Sequence, residues 1–425
     1  MDLPRRARVR SGRGPGRATA TGGSSASTGP GLLSLFYSRR IGLVDGQEVP
    51  LIGGGKITGR AGPYALGVIN ITTDDAEAGP GANFTAVRVK RSVLSRSSIG
   101  AILLNSQGGL SDAHRSVGID GGFLFGQHLS VTGLLAATSA PPERAGMPAA
   151  GSQLAGVADL TWQSDRFRYG ARYTDIGERF HAEMGFVPRV DVRNLRAAAA
   201  WTPRPRWRGV RQLELEASTD YFENHAGEVE SRTHMLEAVL QRQDSSRVNV
   251  SVTRDHDVLP VPFATGGAVV APGAYDWTTA TVGFSTNQSR RVYGGSTLEA
   301  GGYYGGERQT LRTNLSFLIG KTLLFEPNYT RNRVALPGQP VATSNVVNFR
   351  VSHSFSPNIY WKGFFQYNDE RRTSNFNLLF WYVYRPGSDL YIVYNNGWDT
   401  DRPGQRYFQT RDQRLTVKFT YWLSR

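Results

Sequence analysis

The chain has 425 residues, a formal net charge of +14, no Cys, 49 Gly and 11% aromatic residues, with a mean hydropathy of −0.36. Absence of cysteine removes disulfide frameworks, cysteine-ligated zinc and cysteine nucleophiles together. No run of about 18 apolar residues occurs, which excludes a helical membrane protein, and the mostly arginine charge is spread along the chain rather than clustered as in a nucleic-acid surface.

Residues 1–32 are rich in Arg, Gly and Ser and carry no apolar stretch until their end, the composition of a disordered tail. Their basic start is not followed by the apolar segment of a signal peptide. From about residue 56 onward no composition shift marks a boundary, and residues 33–425 read as one domain. From Lys56 onward, apolar and polar residues alternate in segments separated by Gly, Pro, Asn and Asp, the two-residue period of half-buried strands. The pattern predicts strands at 64–73, 84–95, 97–106, 115–125 and 128–138, then a Pro-containing loop at 140–148. Further strands follow at 152–163, 166–175, 190–201, 210–222, 231–243 and 246–256, ahead of a Pro- and Gly-rich loop at 259–273. The last group is 275–287, 291–304, 309–319, 322–333, 342–355, 358–370, 376–385, 389–397 and 411–422. Gly53–Gly55 reads as a tight turn, since no helix follows and no Gly-Lys-Ser/Thr completes a phosphate loop.

The last strand shows what the period demands. Leu415, Val417, Phe419 and Tyr421 share one face; Thr416, Lys418 and Thr420 share the other. Desolvating a charge at every second position costs several kcal/mol each, roughly, so the polar face lines solvent or a wet lumen. Tight turns (243–246, 356–358, 385–388) alternate with longer loops (259–273, 334–341, 398–410). The expectation is an all-β protein, an antiparallel transmembrane β-barrel of roughly 18–20 strands with a disordered N-terminal tail, in the bacterial outer membrane with lipid as its surroundings.

Arg39, Arg40, Lys56, Arg60, Arg88 and Lys90, with Asp74, Asp75 and Arg91 nearby in sequence, form a charge set that suits an anionic or sugar ligand in the lumen, or interior ion pairs bracing strands. Aromatic residues near strand ends, among them Trp162, Tyr169, Trp201, Tyr275, Trp277, Tyr303, Tyr304, Tyr360, Trp381 and Tyr382, read as membrane-interface girdles. Trp398 and Tyr407, in the last long loop, are the candidates for stacking on a sugar ring. Asp255, His256 and Asp257 alternate faces in an extended segment and so do not converge on a metal. No His-Glu-x-x-His or Gly-x-Ser-x-Gly motif occurs, and the acidic pairs Glu228/Glu230 and Asp369/Glu370 read as ordinary loop acids. The residues therefore predict no catalytic site, no metal and no cofactor.

The segments FYSRRIGL (36–43), VPLIGGGKITGRAGPYALGVINITTDD (49–75), NFTAVRVKRSVLSRSSIGAILLN (83–105), FNLLFWYVYRPGSDLYIVYNNGWDT (376–400) and RLTVKFTYWLSR (414–425) resemble a bacterial family of uncharacterised outer-membrane β-barrels. In that family the barrel commonly follows a domain resembling the family 9 carbohydrate-binding module. The resemblance implies surface binding or transport linked to carbohydrate; the scattered charge implies no nucleic-acid partner. It also implies that a signal peptide, the sugar-binding-like module and several strands precede the FYSRRIGL-like segment, so that this chain corresponds to an N-terminally truncated member. The competing expectation is a secreted all-β enzyme or binding protein acting on polysaccharide. Long strands without a blade-length repeat speak against the propeller form of that alternative.

Overall fold

Successive strand side chains point to opposite faces, so an alternating sequence makes a sheet with one apolar and one polar face. The computed structural model describes residues 32–44, 47–77, 79–108, 111–139, 150–265, 267–400 and 409–422. All but the last residue of the tail, and Tyr407, lie outside the described residues. Two units make up the chain, Met1–Trp201 with Ala217–Thr233, and Thr202–Glu216 with His234–Arg425. Among the described residues 21 strands belong to the barrel sheet, and the protein is an all-β antiparallel barrel of the outer-membrane type.

In the first unit a 3-10 turn at Ser38–Arg40 and the short pair β1 (Leu43–Val44) and β2 (Gln47–Glu48) precede nine long strands. These are β3 (Leu51–Ala61), β4 (Tyr64–Thr73), β5 (Ala82–Val93), β6 (Ser97–Gly108), β7 (Ser111–Phe125), β8 (Leu129–Ser139), β9 (Leu154–Gln163), β10 (Phe167–Ile176) and β11 (Val192–Trp201). Each pairs antiparallel with the next. β12 (Val210–Glu223) and β13 (Val229–Arg242) follow, and the turn joining them belongs to this unit.

β3 corrects the sequence reading: Gly53–Gly55 lies inside a strand, not in a turn. Three glycines erase the side-chain alternation from which strands are read. The pairing explains one of them, because a Cβ on Gly54 would stand 2.5 Å from the Asn70 carbonyl oxygen of the neighbouring strand.

One face of the first unit is apolar and exposed, with Leu103 48%, Val117 47%, Ile119 61% and Leu135 63% accessible. Apolar exposure of this extent over adjacent strands is lipid-facing surface. Phe123, Phe125, Trp162, Phe167 and Tyr169 form contacting rings at the tight-turn end, as expected of a girdle. The opposite, inner face carries an apolar filling: Leu35 and Ile41 from the segment before β1, and Phe180, Ala182 and Met184 from the 177–191 loop, cluster with Leu104, Ala136, Ala155, Ile176 and Val192. Backbone hydrogen bonds from Ser34 to Phe186 (3.0 Å), Phe186 to Ser34 (2.8 Å) and Tyr37 to Met184 (2.7 Å) tie the two segments together. Gly118 makes room for this filling, since a Cβ there would collide with Leu35 Cδ1.

In the second unit, β14 (Arg247–Leu259) leads through a small hairpin, β15 (Phe263–Thr265) and β16 (Ala268–Val270), into β17 (Gly273–Ser285). β18 (Val292–Tyr303), β19 (Gly306–Ile319), β20 (Leu323–Ala335), β21 (Ala342–Ser356), β22 (Ile359–Asn368), β23 (Thr373–Arg385), β24 (Ser388–Asp399) and β25 (Gln409–Thr420) complete the order, each long strand antiparallel to the next. Its lipid face carries Val250, Val282, Phe284 and Leu298, each exposed, and a ring ladder Phe317–Phe325–Phe349–Phe365.

The β15–β16 hairpin packs with Tyr303, Tyr304, Val334, Leu336, Tyr275 and Trp277. Thr265 Oγ1 lies 3.1 Å from the Tyr303 hydroxyl, and Tyr304 donates to Asp257 Oδ2 at 2.6 Å. Tyr275, Trp277, Tyr303 and Tyr304 are thus core residues of a folded-in loop and not girdle residues. Proximity to strand ends, the only cue the sequence offered, does not distinguish the two.

Candidate functional site

Register decides which side chains can meet. In the first unit Lys56 aligns with Ile69 and Ala86, Thr58 with Gly67 and Arg88, and Arg60 with Ala65 and Lys90. Lys56, Arg60, Arg88 and Lys90 therefore share the inner face. Arg88 forms a bidentate pair with Asp120, one arm at 2.8 Å. The pair passes over Gly100, where a Cβ would stand 2.7 Å from Arg88 Nη2. No ion pair is found for Lys56, Arg60 or Lys90 among the described residues, and all three are exposed. Arg39 and Arg40 are exposed on the 3-10 turn, off the strand face that holds the other four.

Further along the same face Asp159, Arg172 and Arg196 stand side by side in register. Arg172 Nε reaches Asp159 at 2.9 Å, while Arg196 Nη2 reaches Asp220 at 2.7 Å. Adjacent arginines are tolerable because each has its own carboxylate.

The inner face of the second unit is a set of polar rows. Ser251, Thr281, Glu299, Thr310, Asn332 and Ser344 align across six strands. Glu299 is joined by Arg308 and, at 3.7 Å, by Arg312; Arg308 also lies 4.3 Å over the Tyr303 ring. A second row runs Glu326, Arg350, Phe364, Asn377, Asn395 and Arg414. A third aligns Ser354, Tyr360, Trp381, Tyr391 and Lys418. Its rings form a track, with Tyr360 and Trp381 centroids 4.9 Å apart and Trp381 and Tyr391 stacked at 5.7 Å. Tyr382, Leu390 and Phe419, one position along each strand, face lipid instead. Tyr360, Trp381 and Tyr391 are thus inner-face aromatics, which strand parity relative to Lys418 could have revealed.

Trp398 lies within β24, paired with Ser374 and Thr410, and not in a loop; a bulge beside Gly397 shifts the register there. His256 and Asp257 behave as alternation requires, His256 Nδ1 lying 3.1 Å from Asp276 and Asp257 accepting from Tyr304. Three of the four acids in the acidic pairs are structurally engaged. Glu228 exchanges hydrogen bonds with Asn224 at 2.8 and 2.9 Å, Glu230 pairs with Arg189, and Asp369 accepts from Asn345 twice at 2.6 Å.

One constellation escaped the sequence reading. His225, in the β12–β13 turn, lies between carboxylates: Nε2 is 2.9 Å from Asp175, and Nδ1 is 2.9 Å from Asp191 and 4.0 Å from Glu178. Glu178 is held below the ordinary carboxylate range by its own backbone N–H and that of Ser152. Asp191 is lowered too: burial pushes it up, but hydrogen bonds from the His225 backbone and ring outweigh that. His225 and Asp175 are 50 residues apart, and no spacing rule joins them.

No protein-family model matches the chain, and no curated protein does. Among solved structures it is similar to the ferric-catecholate import receptor Fiu of E. coli K12, with 9% identity over 85% of this chain and 70% of that one and a TM-score of 0.40. It is similar to OccK2 of Pseudomonas aeruginosa, with 12% identity over 72% and 91% and a TM-score of 0.40. The siderophore receptor PirA of Acinetobacter baumannii gives 10% identity over 83% and 73% and a TM-score of 0.47. With each of these TM-scores below 0.5, nothing about solute or mechanism transfers from these proteins to this chain.

Proposed function

We propose that the protein is an outer-membrane barrel that binds or passes a carbohydrate along its inner face, with acidic sugars favoured. The observation that carries this reading is the Tyr360–Trp381–Tyr391 track. Aromatic faces pack against the apolar face of a pyranose ring, and the polar rows beside the track supply donors and acceptors for its hydroxyls. Independently, in the first unit, the exposed inner-face cations Lys56, Arg60 and Lys90 favour an anionic solute. The carbohydrate link agrees with the family resemblance of the sequence. The barrel reconstituted in planar bilayers or liposomes tests it. Neutral and acidic oligosaccharides should interrupt ion current or equilibrate across the membrane, and Trp381→Ala should weaken the effect about tenfold, the loss of roughly 1.4 kcal/mol of stacking. Sugar-independent behaviour of the folded protein would refute the reading.

A further inference from the structure

We propose that Glu178, Asp191 and His225 bind a divalent first-row metal ion such as Zn2+, with Asp175 orienting the histidine. The three residues each aim one ligand atom into a common space, all within 4.8 Å of one another. His225 Nδ1 lies 2.9 Å from Asp191 Oδ1 and 4.0 Å from Glu178 Oε1. A tetrahedral zinc with bonds of about 2.0–2.1 Å spaces its ligand atoms about 3.3 Å apart, between these two values. One nitrogen and two carboxylates, with water in the fourth position, is a donor set that suits zinc or a similar borderline cation.

The other ring nitrogen has a partner that suits a metal-bound histidine. A neutral imidazole has one N–H, and the Asp175 carboxylate 2.9 Å from Nε2 is the partner for it. With the N–H on Nε2, the Nδ1 lone pair faces Asp191 and Glu178 and is open to a cation set among them. A carboxylate holding the outer nitrogen of a metal-bound histidine is the usual outer-shell partner of such sites. Surrounding charges are arranged to match. Arg193 lies 3.6 Å from Asp175 and 3.8 Å from Glu223, on the Nε2 side, and Arg189 is engaged by Glu230. Backbone ties hold the carboxylates open to the ion: the Ser152 N–H donates to Glu178 Oε2 at 2.8 Å, and the His225 N–H to Asp191 Oδ1 at 3.0 Å. The ion would join strand β10, the 177–191 loop and the β12–β13 turn within the first unit.

Nδ1 carries either a metal or a proton, and the experiment separates them. The full-length protein, folded in detergent and stripped with chelator, is titrated with Zn2+ by calorimetry and with Co2+ by visible absorption. One equivalent should bind, with the Co2+ bands of a low-symmetry nitrogen–oxygen site. His225→Ala should lose that equivalent, and Asp175→Asn should bind about 10- to 100-fold more weakly. If His225→Ala does not fold, Glu178→Gln, which leaves the histidine clamp intact, should still show the loss of affinity. Binding no stronger in wild type than in these variants overturns the proposal. So does a His225 ring signal that titrates identically with and without Zn2+, since the cluster would then be held by a proton alone.

Discussion

The inner faces of the two units are furnished differently. In the first, Leu35, Phe180 and Met184, from segments outside the strands, cover inward-facing Leu104, Ala136 and Ile176, and Phe180 and Ile176 are fully buried. In the second, the strands present Glu299, Arg308, Glu326, Arg350 and the Tyr360–Trp381–Tyr391 rings, and the loop that folds in, β15–β16, covers only the Tyr303, Val334 and Ala342 region. Both lipid faces are alike. A barrel wall therefore fixes the chemistry of its outside and leaves the inside free: apolar where chain is anchored in the first unit, polar along the rows of the second.

The contrast breaks first at Phe180. Phe180→Ala removes a side chain at 0% exposure and should cost about 3–5 kcal/mol of local stability. Limited proteolysis of the 177–191 loop and a lowered urea midpoint would register it. Trp381→Ala, on the wet face of the second unit, should leave the midpoint far less changed while weakening sugar effects about tenfold. A neutral Phe180→Ala would mean that the first unit's filling is dispensable. The likeness of the two lipid faces is tested by Ile119→Arg and Leu298→Arg, which place a charge where 61% and 51% exposed apolar residues stand. Each should destabilise by about 2–4 kcal/mol if it lies near the bilayer midplane, read as loss of the heat-modifiable folded band. A tolerated arginine in one unit only would show that its face is not in lipid.

How much of this was legible follows from the same contrast. Strands β4 to β14 and β17 to β25 were predicted because lipid and water impose opposite demands on alternate residues, as at Leu415, Val417 and Phe419 against Thr416 and Lys418. β3 escaped because Gly53, Gly54 and Gly55 carry no side chain to alternate. Arg88 and Lys90 shared a face on parity alone, whereas Lys56 and Arg60 join them only through the pairing of β3, and Arg39 and Arg40 have no strand to give them a face. Features made by loops were invisible: the burial of Phe180, the Tyr303 and Tyr304 core, and the meeting of His225 with Asp175 all depend on folding back across many strands, which no local period encodes.

A smaller effect sharpens the anchoring side of the comparison. Gly118→Ala places a methyl group against Leu35 Cδ1, and overpacking of this kind costs typically about 1–3 kcal/mol. Cleavage near residues 32–41 should quicken while the barrel stays folded. An unchanged cleavage rate would mean that Leu35 repacks without releasing its segment.

The smallest expected effect concerns how the second unit holds a loop without apolar filling. Asp369, in the turn between β22 and β23, accepts hydrogen bonds from the Asn345 backbone and side chain, each at 2.6 Å. Burial alone would raise its pKa, but these bonds outweigh burial and hold the carboxyl below its ordinary value. A carboxyl whose folded pKa lies below the unfolded one, about 3.9 for Asp, contributes stability that is present above that unfolded value. The contribution disappears as pH falls through the lowered folded pKa. Asp369→Asn removes the titrating group, so wild type should exceed the variant in urea midpoint at pH 7 and the gap should close in acid. A gap independent of pH would assign the loop's hold to hydrogen-bond geometry alone, and a gap that widened in acid would contradict the direction of the shift.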